Sequence, residues 1–512
     1  MKRVLAPIAF FILLLAVILT LDVLSIRHTS ITYDEWNYLE YGKQILNLDS
    51  DFLTTGKMPF SCLNAIPVKL GGELNAARIV TVLFSLLLAF YVFRWSKALY
   101  GQAGAFFSLI LYAFCPNIIA HSRLVTTDLY AAAMATISTY YFWRFIKHGG
   151  WPRAAVSALT LALSQLAKHI CIFLYPIFAL VYFIRCMSPS RRPIRPGSVF
   201  KVILLFLVVS IVVINIGLLF NKTLIPFGQY KFKSHFFNMV QSRLSLLHNV
   251  PVPLPEPYLV GLDRLKLDDE TGEMRGNIYL LGKLHEKDKG PTGFKGYYFY
   301  AFLFKVPIAI QLFILFSVIV YIINRKKYNF LENEIFLLCP VLFFTIYFNF
   351  FFNNQLGIRY LLVTFPFLYI FCGSLCKNWA LFSLKLKSLF AVLILYLVVS
   401  NLSYFPHYIS YFNELVWDRK KAYKILADSN IDWGQDGWYV EQYKKSHPDI
   451  HISPSEPVAG RVIVGVNQLV GVFNPQEYKW LRENFEPVDH IAYSTLVYDV
   501  PAEALEKIRK SR

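Results

Sequence analysis

Residues 4–24 read VLAPIAFFILLLAVILTLDVL, an apolar run with Lys2 and Arg3 before it and Thr-Tyr-Asp-Glu-Trp-Asn-Tyr, residues 32–38, shortly after it. A helix of that length crosses the ~30 Å hydrocarbon core of a bilayer. The run is too long for the hydrophobic part of a signal peptide. No small-x-small cleavage pattern follows before the chain turns aromatic and acidic, so it is expected to remain as a first membrane span. Comparable stretches recur near 77–97, 103–120, 125–146, 154–169, 170–186, 199–220, 299–323, 332–352, 357–376 and 386–404, with only Lys168 and His169 punctuating the pair around 154–186. The composition agrees: the chain is 56% hydrophobic and only 16% charged, which excludes an ordinary soluble globular protein.

The formal net charge of +18 does not point to nucleic acid, because of where the cations fall. Lys2 and Arg3, Lys147 and Arg153, Arg185 with Arg191, Arg192, Arg195 and Lys201, Arg325 to Lys327, and Lys377, Lys385 and Lys387 all lie in short connections. Threading about eleven spans places every one of them on the side of the N-terminus, which the positive-inside asymmetry makes cytoplasmic. The same threading exports residues 25–76, 221–298 and everything after 404. The last of these carries strand-like runs at 461–466 and 491–500 and a helical signature at Pro475–Asn484. The expected fold is therefore an all-α polytopic membrane protein, residues 1–404, with a small exported C-terminal α/β domain, residues 405–512. Of the seven cysteines only Cys62 is clearly exported, so neither a disulfide framework nor a CxxC metal site is indicated.

Several polar residues stand where a membrane should exclude them, all on the external face. Asp34 and Glu35 follow the first span; Asp128 and Arg123 flank the start of the fourth; Lys168, Arg359 and Tyr360 sit at outer span ends; Lys57 lies in the first exported loop. Each has a bland reading: a solvated loop for the acidic pair, a helix cap for Thr126-Thr127-Asp128, snorkelling for Lys168, an interfacial anchor for Arg359-Tyr360. Together they set cations around a few carboxylates. Such a group suits a lipid-phosphate sugar: cations hold the phosphate and a carboxylate deprotonates an attacking hydroxyl. Charge facing a helical bundle also suits a transporter of lipid-linked saccharides, although broken helices near the midplane would then be expected. A scaffold whose exported domain binds a partner is a third reading, and it leaves Asp34, Asp128 and Lys168 unexplained.

Five stretches carry a resemblance. They are Tyr33-Asp-Glu35; Arg78 with Pro116–Asp128; Leu166-Ala-Lys168; Gly296–Tyr300 followed by Lys305-Val-Pro307; and His407–Glu414 leading to Asp428-Ser-Asn-Ile-Asp-Trp-Gly-Gln-Asp436. In these the chain resembles the GT-C glycosyltransferases of the protein O-mannosyltransferase and aminoarabinose-transferase superfamily, and most closely their bacterial phospholipid-carrier-dependent relatives. The resemblance implies a polyprenyl-phosphate monosaccharide as donor and a glycan, lipid or protein acceptor. It implies transfer with inversion on the outer face of a bacterial inner membrane. Asp34 would be the base, with Glu35 and Asp128 as further acidic residues of the cavity. Lys57, Arg123, Lys168, Arg359 and Tyr360 would grip the donor phosphate. The family pattern has two prolines after the Lys57 position, whereas this chain has Met58-Pro59. Asp428, Asn430, Asp432, Trp433, Gln435 and Asp436 read either as a sugar-binding surface or as an Asx-rich turn before a helix near Trp433. Their spacing is not that of an EF-hand; a divalent cation is compatible with the run and not required by it.

Overall fold

The computed structural model describes residues 2–49, 57–187, 196–272, 275–290 and 292–510. Arg191, Arg192 and Arg195 of the cytoplasmic charge count lie outside these residues. The chain runs α1 (Lys2–Ile26), α2 (Glu35–Leu46), α3 (Ser61–Lys69), α4 (Leu74–Ala113), α5 (Pro116–Ser122), α6 (Thr127–His148), α7 (Trp151–Gln165), α8 (Leu174–Cys186) and α9 (Pro196–Gly217). Next come α10 (His235–Arg243), α11 (Glu256–Thr271), a hairpin of β1 (Ile278–Leu280) and β2 (Lys283–His285), and then α12 (Tyr297–Lys305), α13 (Ile308–Ile323), α14 (Ile335–Phe350), α15 (Phe365–Cys372) and α16 (Leu384–Leu402).

All eleven apolar stretches are helical for most of their length, yet they are not eleven straight spans. Among the described residues six helices are long and apolar enough to cross a membrane, or seven if the bent pair α12–α13 counts as one. The stretch 77–97 and the first part of 103–120 share α4, whose 40 residues break at Gly101 with φ 79°, a conformation open to glycine; the rest of 103–120 falls in α5. The α6 helix is only moderately apolar because it is the centre of the bundle: nearly every residue from Thr127 to Ile146 is buried by protein. The α7 and α14 helices, at 15 and 16 residues, are short.

Two local features fix the packing. Ser96 and Ser108 hydrogen bond across α4 at 2.9 Å, and a Cβ on Gly104 would lie 2.8 Å from the Gly373 carbonyl. Small residues here let the backbones touch, the usual way helices associate without a hydrophobic driving force. At the other break, α12 and α13 meet at 112° around Lys305-Val-Pro307. Proline removes an N–H there and frees carbonyls that hydrocarbon cannot solvate. Gln311 Nε2 donates to the carbonyls of Leu303 and Val306 at 2.9 and 2.8 Å, and Asn413 Nδ2 to the same pair at 2.6 and 2.7 Å.

After α16 the chain returns over the bundle as short 3-10 turns (404–436) and then forms the C-terminal unit: α17 (Gly437–Ser446), β3 (His451–Ile452), β4 (Gly460–Gly465), α18 (Val466–Val470), α19 (Lys479–Asn484), β5 (Asp489–Ile491), β6 (Thr495–Val500) and α20 (Ala502–Lys510). The sheet order is β3-β4-β6-β5, with β3 parallel to β4 and the other pairs antiparallel, Val462 facing Tyr498. The strand expected at 491–500 is divided: Ala492 and Tyr493 take φ of 51° and 67°, turning β5 into β6. The helix expected from Pro475 begins only at Lys479.

Candidate active site

The first loop is held by a buried ion pair. Glu35, fully buried, accepts from Arg78 Nε at 2.8 Å and Nη2 at 2.6 Å. It also accepts the backbone N–H groups of Thr32 and Val125, each at 2.9 Å. Arg78 donates onward to the Thr29 and Ser30 carbonyls, both at 2.7 Å. One bidentate pair thus ties the loop after α1 to α4 and to the residues just before Asp128. The sequence expectation grouped Glu35 with Asp34 in the cavity. Instead Glu35 faces the protein interior with both oxygens occupied.

Asp34 points the other way. Its side chain is about a third exposed, and Arg359 Nη1 donates to its Oδ2 at 2.9 Å. The same Nη1 lies 3.9 Å from Oδ2 of Asp128, and Lys168 Nζ donates to Oδ1 of Asp128 at 2.5 Å. Four charged groups from the start of α2, the first turn of α6, the turn after α7 and the Ile358–Thr364 3-10 helix therefore meet in one place. A small cavity opens there, lined by Asp128, Lys168, Arg359, Tyr360 and the apolar Ala131, Ile170 and Val363. Lys168 sits over the Tyr360 ring at 4.6 Å and Arg359 over the Trp433 ring at 4.3 Å. Tyr38, one helical turn after Asp34, carries Lys57 over its ring at 4.2 Å, with its hydroxyl 3.4 Å from Thr127 Oγ1. Burial pulls the Lys57 ammonium below its ordinary value; Asp34 opposes this, while Arg359, Arg264 and Lys168 add to it.

The run 428–436 supports this cluster from behind. Ser30 N donates to the Gln435 carbonyl at 2.8 Å and Tyr33 N to the Trp433 carbonyl at 3.2 Å, so the run carries the loop that bears Asp34. Asn430 Oδ1 accepts from Ile358 N at 2.9 Å, beside Arg359, while its amide donates to Tyr297 and to the Ala427 carbonyl. Lys305 Nζ, fully buried, donates to the Ile409 carbonyl at 2.7 Å and to that of Asn430. Gly357, with φ 111°, passes so close to Ser429 that a Cβ would lie 2.6 Å from its hydroxyl. Gln435 and Asp436 are buried, Asp436 accepting from Ser494 Oγ at 2.7 Å and lying 3.2 Å from His407 Nδ1. The open sugar-binding surface expected of this run is thus largely closed: Asn430, Trp433, Gln435 and Asp436 are interior, and Asp428 and Asp432 alone keep partial exposure. Burial raises both carboxyls, Asp432 to about 6. The helix expected near Trp433 starts at Gly437. Among the described residues no group of three or more His, Cys, Asp or Glu is placed to hold a metal ion.

Arg123 does not join the cluster. It is buried against the end of α1, donating to the Ser25 carbonyl at 2.8 Å and to the Thr29 hydroxyl, where it ties the last turn of α1 to the residues before α6. Sequence reasoning missed Tyr38, which the helical spacing from Asp34 could have found. It quoted Arg78 and Lys305 without a role; a cation inside or at the start of an apolar run was the available signal. Beyond His169, whose ring stacks on Tyr258 at 5.8 Å, an apolar cleft of about 940 Å3 runs between α6, α8 and α9, lined by Phe142, Tyr175, Phe178, Phe206 and Tyr258 among others.

Residues 61–216 match the family model of dolichyl-phosphate-mannose-protein mannosyltransferases. No curated protein matches the chain. Among solved structures, the apo oligosaccharyltransferase of Archaeoglobus fulgidus is 14% identical with a TM-score of 0.49, the likeness covering 86% of this chain and 58% of that one. ArnT from Cupriavidus metallidurans bound to undecaprenyl phosphate is 11% identical with a TM-score of 0.33, covering 96% and 98%. At TM-scores below 0.5 these likenesses carry no weight of their own. This chain spans under two thirds of the oligosaccharyltransferase's length. The matched segment 61–216 holds Arg78, Asp128 and Lys168 and includes two of the five stretches that resemble the GT-C superfamily, so over this segment the chain is similar to membrane mannosyltransferases of that superfamily.

Proposed function

We propose that this protein moves a monosaccharide from a polyprenyl-phosphate donor to an acceptor hydroxyl at the outer membrane surface, with Asp34 as base. The observation that carries the reading is the meeting of Asp34, Asp128, Lys168 and Arg359, of which the last three line one small cavity while Asp34, about a third exposed, is paired to Arg359. Lys168, Arg359 and Lys57 would bind the donor phosphate, and the apolar cleft beside His169 would take the polyprenyl chain.

The acceptor oxygen attacks the anomeric carbon from the face opposite the phosphate. The bond to the phosphate oxygen breaks, the configuration inverts, and the acceptor proton passes to Asp34. Polyprenyl phosphate leaves with its new charge against Lys168 and Arg359. Before donor binds, Arg359 Nη1 donates to Asp34 Oδ2 and so occupies an oxygen that would otherwise receive the acceptor's proton. The arriving phosphate would draw Arg359 away, so the base is freed only when donor is present. Asp128 keeps Lys168 in place, and Glu35 positions the loop without touching substrate.

The test is reconstitution in vesicles with a panel of polyprenyl-phosphate sugars and candidate hydroxyl acceptors. Sugar released from the lipid and joined to an acceptor supports the reading. Sugar that only changes leaflet while still on its carrier would establish a transporter instead.

A further inference from the structure

We infer that the loop joining α9 to α11 is a wedge seated in the lipid leaflet at the Gly217 end of α9. The α9 helix is one of the six apolar helices long enough to cross a membrane, and its Val212 and Ile216 face outward. The outward apolar surface does not stop where the helix does. Phe220 and Leu224 are 61% and 58% exposed, in a turn where Leu219, Phe220, Lys222 and Leu224 all take φ between 47° and 67°. Side chains other than glycine adopt that conformation at a cost, here incurred by four residues within six positions.

The ladder that follows extends the surface. Leu224 N donates to the Val252 carbonyl, Val252 N to Ile225, Phe227 N to Val250 and Gly228 N to His248, so 224–228 pairs antiparallel with 248–252. That pairing sets Val250, 49% exposed, opposite Phe227 and puts Leu247, Leu246 and Leu244 at the tip, where Leu246 is 96% exposed. The result is one apolar ridge continuous with the lipid-facing flank of α9. Its charge fits the same partner: residues 219–252 contain Lys222, Lys231, Lys233 and Arg243 and no Asp or Glu. Leucines at a tip rimmed by exposed cations suit the headgroup region of an anionic bilayer.

The wedge also bears on the cluster at Asp34. Ser234 N and Oγ donate to Asp263 of α11 at 3.0 and 2.6 Å, and Asp269 of α11 accepts from Asn353 N at 2.7 Å, six residues before Arg359. Seating the loop in lipid would hold α11 at a fixed height over the site.

The full chain, with Cys62→Ser and Cys186→Ser, is reconstituted in phosphatidylethanolamine–phosphatidylglycerol vesicles. An environment-sensitive fluorophore is attached at Leu246→Cys, at Leu224→Cys, or at Ser455→Cys of the C-terminal unit, and the unsubstituted parent is subtracted as background. The expected result is blue-shifted emission at 246 and 224, quenched several-fold more by lipid-borne nitroxide than at 455 and shielded from aqueous iodide. Emission at 246 that iodide quenches as fully as at 455, with no response to the lipid quencher, would overturn the inference. It would leave the ridge facing water, or a partner protein absent from the vesicles.

Discussion

Replacing Arg78 by Met separates a structural clamp from a catalytic group. The substitution keeps an unbranched side chain in a fully buried position but leaves Glu35 facing protein with no cation. Removing one member of a buried ion pair costs about 3–5 kcal/mol, because the remaining charge has lost its partner but not its burial. Two contributions shift the figure in opposite directions. Glu35 keeps the N–H donors of Thr32 and Val125, which lowers the cost, while the carbonyls of Thr29 and Ser30 lose their donors at roughly 1 kcal/mol each. The middle of that range is the expected loss.

Buried Cys115, Cys171 and Cys372 make the assay direct. A thiol-reactive dye reports the melting of the detergent-purified protein as those thiols become accessible. Arg78→Met should melt several degrees below wild type. The double variant Glu35→Gln with Arg78→Met should regain part of the loss, since nothing charged is then stranded, giving a coupling of about 1–3 kcal/mol. Melting of Arg78→Met alongside wild type, or additive effects in the double variant, would refute the clamp.

Three further outcomes follow from the same geometry. Asp34→Asn should lower turnover about 10²–10⁴-fold, the usual contribution of a general base, while its melting temperature stays near wild type because the Asp34–Arg359 pair is partly exposed; single-turnover transfer and the thiol melt check both halves. Lys168→Ala should weaken donor binding more than acceptor binding, measured by titration with polyprenyl phosphate, and Lys168→Arg should restore part of it. Asp432 has a folded pKa raised to about 6 from 3.8, so the unfolded chain holds fewer protons than the folded one between those values and stability falls as pH rises through that window. Asp432→Asn removes the penalty, at most about 3 kcal/mol, so its melting temperature should rise above that of wild type between pH 4 and 7 and match it below pH 4.

The helical class, the apolar stretches and the meeting of the stranded charges were legible because each rests on a one-dimensional signal: run length, charge placement or a stranded ion. Asp34, Asp128, Lys168 and Arg359 came together as those signals indicated. What could not be read was which way side chains turn. The polar letters of 428–436 look alike in a sequence whether they greet a sugar or hold a loop, and only their partners distinguish Asn430, spent on Ile358 and Tyr297, from Asp428 at the edge. Arg123 misled for the same reason, since an arginine beside the site and one bonded to the end of α1 occupy the same place in the chain. The division of 491–500 into two strands needed the left-handed pair Ala492–Tyr493, which has no glycine to announce it.

The acidic pair itself shows how adjacency in sequence can mean opposition in space. Asp34 already has helical dihedrals, φ −86° and ψ −26°, so Asp34 and Glu35 project about 100° apart around α2. Tyr38, four residues on, shares the face of Asp34 and the cluster with it; Leu39 and Gly42 share the face of Glu35 and are buried with it. Here that turn is enough to divide the pair: Glu35 is fully buried on Arg78, while Asp34 is partly exposed on Arg359. The roles then respond differently to length. Glu35→Asp keeps the charge but retracts the carboxylate by one methylene, so it can no longer span Arg78 and the Val125 N–H together, and the protein should lose most of the stability lost in Arg78→Met. Asp34→Glu meets a partly open cavity and should fold normally while its base is displaced by about 1.5 Å. Such a displacement slows transfer on the order of 10²-fold without changing the melt. If Glu35→Asp instead melted normally and lost turnover, Glu35 would belong to the chemistry and the division argued from helix geometry would be wrong.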